Sequence, residues 1–285
     1  IFFRALPRAA AMSAARVPVL VVTGFLGSGK TTLLNRILVD GGRRVAVIEN
    51  EYAAELGVEN ELVDARRGAT FTEVEEVGGQ CICHGGLAVF ARKLRDLIRH
   101  RRDRFDVVVV ETTGLADPAF AQIFFVDPFL RDAVALRAIV TVVDARHVEH
   151  HLAKAVAEGC VNEAAAQIAA ADVLLLNKAD LVAPERATAL ERRLRGLNAA
   201  APNHPCERCD VPVGPLLDEQ AFALENHPAF AEGVRHLEDT GLQKEHAAHD
   251  AEVGAVVLVG RGDVQVDALR AWLAAVGGQC GDDLW

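Results

Sequence analysis

The chain has 285 residues, of which 51% are hydrophobic and 25% are charged, and its formal net charge is −10 at pH 7. Such a composition is ordinary for a globular protein, and the length corresponds to one large domain or to one domain with part of a second. The acidic balance argues against nucleic acid or an anionic membrane surface as the main partner. No apolar run approaches the length of a membrane-spanning helix, so we expect a soluble protein.

The first residues, "IFFRALPRAAAMSAAR", contain arginines and no acid. An arginine-rich, acid-free start resembles the end of an organellar transit peptide, and a disordered tail or upstream translation ahead of Met12 would have the same composition. We therefore expect residues 1–16 to lie outside the fold. The protein is expected in the cytoplasm or, alternatively, in a chloroplast or mitochondrion.

Several apolar runs that end in polar residues alternate with helix-like segments. They are "VPVLVVTG" (17–24), "RRVAVIEN" (43–50), "DVVVVETT" (106–113), "AIVTVVDA" (138–145) and "DVLLLNKAD" (172–180). Runs that are apolar on both faces belong to a parallel sheet covered by helices on each side. The pattern therefore predicts an α/β fold with a doubly wound, mostly parallel sheet, in which ligands bind outside the carboxyl ends of the strands.

The segment "GFLGSGKTT" (24–32) matches the phosphate-binding pattern G-x-x-x-x-G-K-[ST] between a strand and a helix. Its glycines allow backbone N–H groups to face phosphate oxygens, and the helix N-terminus adds partial positive charge. Lys30 is predicted to reach the β- and γ-phosphates, and the Thr31 hydroxyl to bind Mg²⁺. The predicted nucleotide-binding residues of this loop are Gly24, Gly27, Ser28, Gly29, Lys30, Thr31 and Thr32.

The strand pattern "DVVVVETTGLADP" (106–118) ends in an acid. An acid at the end of a strand near the phosphate loop is typical of the residue that holds Mg²⁺ directly or through water. Glu111 is the predicted residue, and with Lys30 and Thr31 it forms the predicted catalytic group. The N–H of Gly114 is predicted to contact the γ-phosphate and so to sense hydrolysis.

The segment "NKAD" (177–180) also follows a strand pattern. The Asp180 carboxylate can accept hydrogen bonds from guanine N1–H and N2–H₂, a donor pair that adenine lacks. Asn177 is predicted to face the other guanine edge, and Lys178 to lie over the ring. An ordinary strand-to-loop turn would look alike in isolation, but the order of the three motifs predicts GTP as the nucleotide.

Two cysteines and a histidine cluster among glycines in "VEEVGGQCICHGGLAVF" (74–90). Cys81, Cys83 and His84 could form a metal site, a redox pair or a chance cluster, since six cysteines are too few for a disulfide framework.

A second close pair of cysteines, Cys206 and Cys209, lies in "HPCERC" and is half of a zinc knuckle. It predicts an accessory metal site, a disulfide or neither. His147, His150 and His151 lie at near-helical spacing and predict an exposed helix face.

The composition changes after about residue 200. Residues 201–250 are rich in proline, histidine and turn residues and predict an irregular linker. Residues 251–285 hold one strand pattern, "VGAVVLVG", and one helix pattern, "VQVDALRAWLAAV", which cannot bury a core alone. The predicted organisation is an α/β domain over 17–200, a linker over 201–250, and the truncated start of a C-terminal α+β domain over 251–285.

One family shares these motifs in this order. The strings are "GFLGSGKTT", "IENEY", "CICH", "ETTGLADP", "FFVDP", "VVDARH" and "LLLNKADL". The sequence resembles the CobW-type P-loop GTPases, which are nucleotide-dependent metallochaperones and metallocentre activators. The resemblance is strong over 17–200 and weak over 251–285. The family usually has Cys-x-Cys-Cys where this chain has Cys81, Cys83 and His84.

The resemblance implies that Cys81, Cys83 and His84 hold a cargo metal, expected to be Zn²⁺, for which thiolate and imidazole are both good ligands. Glu49 and Glu55 are candidate further ligands, together with Glu51, although these acids could equally belong to a solvated loop. The main expectation is a GTP-hydrolysing metallochaperone that uses GTP and Mg²⁺ and delivers zinc to a client metalloprotein. A GTP-gated scaffold without metal transfer and a P-loop kinase are the alternatives, and homo-oligomerisation is left open.

Overall fold

The computed structural model describes residues 16–40, 42–49, 73–76, 87–154, 161–240 and 265–280. The strands are β1 (Val17–Thr23), β2 (Val45–Glu49), β3 (Glu73–Glu76), β4 (Val107–Glu111), β5 (Val134–Asp144), β6 (Val173–Asn177) and β7 (Asn203–Pro205). They form one sheet in the order β3-β2-β4-β1-β5-β6-β7. Each neighbouring pair is parallel, so the carboxyl ends of these strands share one edge.

Helices connect and cover the strands. They are α1 (Lys30–Asp40), α2 (Leu87–Arg101), α3 (Ile123–Val126), α4 (Pro128–Ala133), α5 (Val148–Ala153), α6 (Glu163–Ala169), α7 (Pro184–Leu197), α8 (Val213–Asp218), α9 (Pro228–Thr240) and α10 (Val266–Cys280). Short 3₁₀ helices lie at Arg102–Arg104, Pro118–Gln122, Ala179–Leu181 and Leu224–Asn226. Within the described ranges, none of the helices combines the length and apolar character needed to cross a membrane.

The central strand β1 divides its side chains between two apolar cores. Val19 and Val21 belong to the core that includes Phe90 of α2. Leu20 and Val22 belong to the core on the opposite face, which includes residues of α1. Successive side chains of a strand point to opposite faces, so a strand with helices on both faces must be apolar throughout. The predicted doubly wound parallel fold is confirmed.

Ordered structure continues beyond residue 200, where the composition predicted an irregular linker. β7 pairs with β6, and α8 and α9 lie within 201–240. Phe230, Val234 and Leu237 of α9 are buried, a spacing of four and then three residues that places them on one helix face. The linker prediction followed the proline and histidine content of this segment and overlooked its apolar spacing. The domain boundaries themselves stay predictions.

The predicted C-terminal helix is present as α10. The predicted strand "VGAVVLVG" lies outside the described residues.

Candidate functional site

The loop that follows β1 has the backbone of a phosphate cradle. Gly24, Gly27 and Gly29 have φ values of 141°, 68° and 110°, which favour glycine. The largely buried Lys30 donates from Nζ to the Phe25 carbonyl oxygen at 3.3 Å, so its ammonium group lies over the loop. Such a curled loop at a helix N-terminus fits an anion as large as a nucleotide phosphate.

Two other segments approach this loop closely. A Cβ atom built on Gly29 would lie 2.4 Å from Asn177 Nδ2. One built on Gly114 would lie 2.5 Å from Leu26 Cδ2. Both distances are shorter than any real Cβ contact, so only glycine fits without a shift of its neighbours. Gly114 therefore lies against the phosphate loop, and its predicted contact with the γ-phosphate stays a prediction.

Strand β4, which lies beside β1 in the sheet, brings an acid to the first turn of α1. Thr31 Oγ1 donates to Glu111 Oε1 at 3.0 Å, and Glu111 is buried at the end of β4. A hydroxyl and a carboxylate side by side are hard oxygen donors that suit Mg²⁺. A Thr23–Thr112 hydroxyl bond of 2.9 Å ties the ends of β1 and β4 together. Across the sheet, the Cα register aligns Glu49 of β2 with Glu111.

The side chain of Asn177 joins three segments at the end of β6. Its Nδ2 donates to the Ser28 carbonyl oxygen at 2.8 Å, and its Oδ1 accepts from the Cys209 N–H at 2.9 Å. Asn177 is buried, and these bonds hold it against the phosphate loop. Its predicted contact with the guanine edge stays a prediction, whereas its bonds to the protein are a positioning role that sequence reasoning missed.

Lys178 is oriented by an acid from β5. Its Nζ donates to Asp144 Oδ2 at 2.6 Å, and His147 Nδ1 lies 3.0 Å from the same oxygen. Burial favours the neutral form of Asp144, but the bonds from Lys178, His147 and the Arg146 N–H outweigh it and hold the pKa of that carboxyl below its usual value. Asp180 is exposed beside this cluster, where a ligand can reach it.

The prediction that three histidines form an exposed helix face is wrong for His151. His150 is exposed and His147 is partly buried, whereas His151 is buried and its ring lies 4.0 Å from the ring of Phe25, centroid to centroid. Burial, helped by the neighbouring histidines, lowers the pKa of His151 to about 4. His151 thus packs beneath the phosphate loop, because α5 follows β5 at the edge where that loop lies.

The second cysteine pair, Cys206 and Cys209, lies buried between the phosphate loop and Asn177. Among the described ranges, no group of three or more His, Cys, Asp or Glu side chains is placed to hold a metal ion. The C-x-x-C half-knuckle therefore gains no further ligand from the part of the chain that the structure describes.

The candidate cargo ligands Cys81, Cys83, His84 and Glu55, with Glu51, lie outside the described residues. Glu49 ends β2, and its side chain is likewise not described. The flanking elements are described: β3 ends at Glu76 on the carboxyl edge of the sheet, and α2 begins at Leu87.

Two further features of the site were not predicted from the motifs. The role of Asp144 could have been predicted from the sequence, because it is the polar residue that ends the buried apolar run of β5. The contact of Cys209 with Gly29 could not have been predicted, because the two residues lie 180 positions apart.

The chain matches a known family of domains. The model described as CobW/HypB/UreG, nucleotide-binding domain, matches residues 18–205. Zinc-regulated GTPase metalloprotein activator 1 of Saccharomyces cerevisiae is 30% identical over 261 residues, which cover 86% of this chain and 59% of that protein. Zinc chaperone YjiA of Escherichia coli is 33% identical over 216 residues, which cover 74% of this chain and 64% of that protein.

A solved structure is similar as well. The crystal structure of Zn(II)-bound YjiA GTPase from E. coli superposes with a TM-score of 0.55 at 27% identity, covering 74% of this chain and 64% of that chain. This chain spans less than two thirds of the length of either curated relative.

Proposed function

Because the chain belongs to the CobW/HypB/UreG family of nucleotide-binding domains, we propose that it is a GTP-hydrolysing metallochaperone that carries zinc to a client metalloprotein. The observation that supports this proposal most directly is that two groups of residues, a phosphate side and a base side, lie together at one edge of the sheet. Thr31 pairs with Glu111 on the phosphate side, and Asn177 on the base side bonds to Ser28 of the same phosphate loop. The words "GTPase" and "zinc" in the names of the relatives support the nucleotide and the cargo.

On the phosphate side, the loop N–H groups and Lys30 would hold the β- and γ-phosphates. Lys30 would exchange its bond to the Phe25 carbonyl for phosphate oxygens. Thr31 and Glu111 would hold Mg²⁺, and the ion would neutralise charge on the phosphates during hydrolysis. Sequence reasoning identified no arginine to stabilise the transition state, so turnover by the chain alone should be slow.

On the base side, the exposed Asp180 would accept from guanine N1–H and N2–H₂. Asp144 would hold the Lys178 side chain in place against the ring face. Adenine cannot satisfy the Asp180 carboxylate, and an acceptor that loses water to the ligand without gaining a donor weakens binding. The arrangement therefore favours GTP over ATP and argues against a kinase that uses ATP.

Zinc would be held by Cys81, Cys83 and His84, with Glu49 and Glu55 as further oxygen ligands. The described elements support this through topology, because β3 ends at Glu76, five positions before Cys81, on the same edge as Glu111. Cys81, Cys83 and His84 leave a fourth position for one of these oxygens or for a ligand from the client, and a position that can be vacated suits a site that must release its metal. Nucleotide at this edge could then bias how tightly the cargo is held.

The experiment is a titration of zinc against a chelator with GTP and Mg²⁺, with GDP and Mg²⁺, and with no nucleotide. We expect affinities that differ between the states, and linkage requires that zinc change GTP affinity by the same factor. Cys83→Ala should abolish tight zinc binding and leave GTP binding nearly intact, whereas His84→Cys should tighten zinc binding.

Equal zinc affinities in all three states would leave a GTPase with an uncoupled metal site and would refute the chaperone mechanism. Equal zinc affinity in the wild type and Cys83→Ala would refute the site itself.

A further inference from the structure

Cys206 and Cys209, here called the thiol pair, lie in a tight turn after β7. Cys206 retains 7% of its surface exposed, and Cys209 is completely buried. Arg208 and Cys209 have φ values of 48° and 53°, in the left-handed region that residues other than glycine seldom adopt. Two such residues in succession indicate a turn held in place by its surroundings.

The thiol pair contacts both the phosphate side and the base side of the carboxyl edge of the sheet, here called the nucleotide edge. Cys209 Sγ lies 3.4 Å from the Gly29 carbonyl oxygen on the phosphate side. On the base side, Cys206 Sγ lies 3.8 Å from Asn177 Oδ1, and the Cys206 carbonyl oxygen accepts from the Ala179 N–H at 3.1 Å. The thiol pair therefore fills the space between the phosphate loop and "NKAD".

The two thiols differ in reactivity. Contact with the Cys209 thiol outweighs burial and holds the pKa of Cys206 below its usual value, and the positive charge of Arg36 acts in the same direction. The same contact, together with burial, raises the pKa of Cys209. The thiolate is the nucleophilic form of cysteine, so Cys206 is the more reactive member and also the more exposed one.

We propose that the thiol pair is an oxidation site for hydroperoxides, which close it into an intramolecular disulfide that weakens guanine-nucleotide binding. The first half of this inference stands on the thiol pair alone, and the second half rests on the proposed function.

The chemistry needs only the two thiols and a hydroperoxide. The Cys206 thiolate attacks the peroxide, the O–O bond breaks, and Cys206 becomes a sulfenic acid while the other oxygen leaves and takes up a proton as an alcohol or water. Cys209 then attacks the sulfenic sulfur, the S–S bond forms, and water leaves. The two thiols lose two electrons in total, and the peroxide gains them.

The disulfide would remove hydrogen bonds that the two thiols donate to Gly29 and Asn177. Neither sulfur retains a hydrogen to donate, so the contacts to the Gly29 carbonyl and to Asn177 Oδ1 lose their donors. A disulfide also requires its sulfurs to lie about 2 Å apart, which draws the turn together and away from its present contacts. Because Asn177 also bonds to Ser28, the change reaches the phosphate loop.

The disulfide can be detected directly because Arg208 lies between the two cysteines. The full chain is treated with hydrogen peroxide, its remaining thiols are alkylated, and it is unfolded and cleaved with trypsin without reduction. Cleavage after Arg208 separates peptides 196–208 and 209–235, each with one cysteine of the thiol pair. We expect these peptides to remain linked after oxidation and to separate after reduction.

The functional measurement is the Kd for a fluorescent GDP analogue before oxidation, after it, and after reduction with a dithiol. We expect oxidation to weaken binding about tenfold, as the loss of one or two hydrogen bonds would do, and reduction to restore it. Cys206→Ser should show no change between its own untreated and oxidised states. Cys160→Ser, which removes a cysteine elsewhere in the chain, should respond like the wild type.

Peptides that separate without reduction would overturn the oxidation site. Linked peptides with an unchanged Kd would overturn the effect on nucleotide. A response retained in Cys206→Ser would assign that effect to another cysteine. A reduced protein that binds no guanine nucleotide would overturn the proposed function, and with it the effect on binding, whereas linked peptides would still support the oxidation site.

Discussion

The phosphate side of the nucleotide edge is built largely from one loop, 24–32, in which Lys30 bonds to Phe25 five positions away. On the base side, Asn177 bonds to Ser28 over 149 positions and to Cys209 over 32. A local loop keeps its shape through its own backbone, whereas the base side depends on distant segments packing together. The shape of the phosphate side should therefore tolerate single side-chain changes that alter its chemistry, whereas the shape of the base side should be sensitive to changes in packing.

The largest expected effect tests the phosphate side. Lys30→Ala removes the ammonium group over the loop and should lower the kcat for GTP hydrolysis about 100-fold or more. The unfolding free energy should change little, because the backbone of the loop remains. The measurement is phosphate release, with Arg193→Ala, an exposed cation on α7, as the matched control. A kcat within a few-fold of the wild-type value would show that Lys30 does not take part in hydrolysis.

The next effect concerns the base side alone. Asp180→Asn should reduce the preference for GTP over ATP by about 2 kcal/mol or more, since the amide no longer offers guanine two acceptors. Competition of GTP and ATP for a bound fluorescent nucleotide measures the preference. If the wild-type protein binds both nucleotides equally, the interpretation of "NKAD" is wrong.

The junction of the two sides can be tested with a pair of glycines. Gly29→Ala should lower the unfolding free energy by about 2 kcal/mol, because its Cβ would overlap Asn177 Nδ2 at an unfavourable φ of 110°. Gly27→Ala also has a positive φ, but its Cβ meets no described atom within 4 Å, so it should cost less. Urea denaturation of both variants measures the difference, and equal losses would contradict the close contact.

The smallest effect is a pH dependence beneath the phosphate loop. Folding lowers the pKa of His151 from 6.5 to about 4, so between these values the unfolded chain binds a proton that the folded chain does not. Stability from this group is therefore present above pH 6.5 and is lost as the pH falls toward 4.

His151→Gln should flatten the dependence of the unfolding free energy on pH in that window by about 1 to 2 kcal/mol. His236→Gln, which changes an exposed histidine on α9, is the control and should retain the wild-type slope. A wild-type slope retained in His151→Gln would assign the titration to another group.

The central sheet and the residues of the phosphate side could be predicted from the sequence alone. Strands that are apolar on both faces must lie inside a parallel sheet, and parallel strands place their polar ends on one edge. That reasoning predicted Glu111 near the phosphate loop, and the structure places it 3.0 Å from Thr31. Local motifs suffice here because short-range backbone geometry determines the loop.

The packing contacts of the base side and of the elements around it became apparent only from the tertiary structure. The burial of His151 under Phe25, the attachment of Lys178 to Asp144 and the packing of Cys209 against Gly29 join residues that share no local pattern. Helix α9 has apolar residues at helical spacing in the sequence, but only the fold shows that Phe230, Val234 and Leu237 are the buried face. Periodicity reports that a side chain can be buried, but its partner is set by how the elements pack, and that information is distributed over the whole chain.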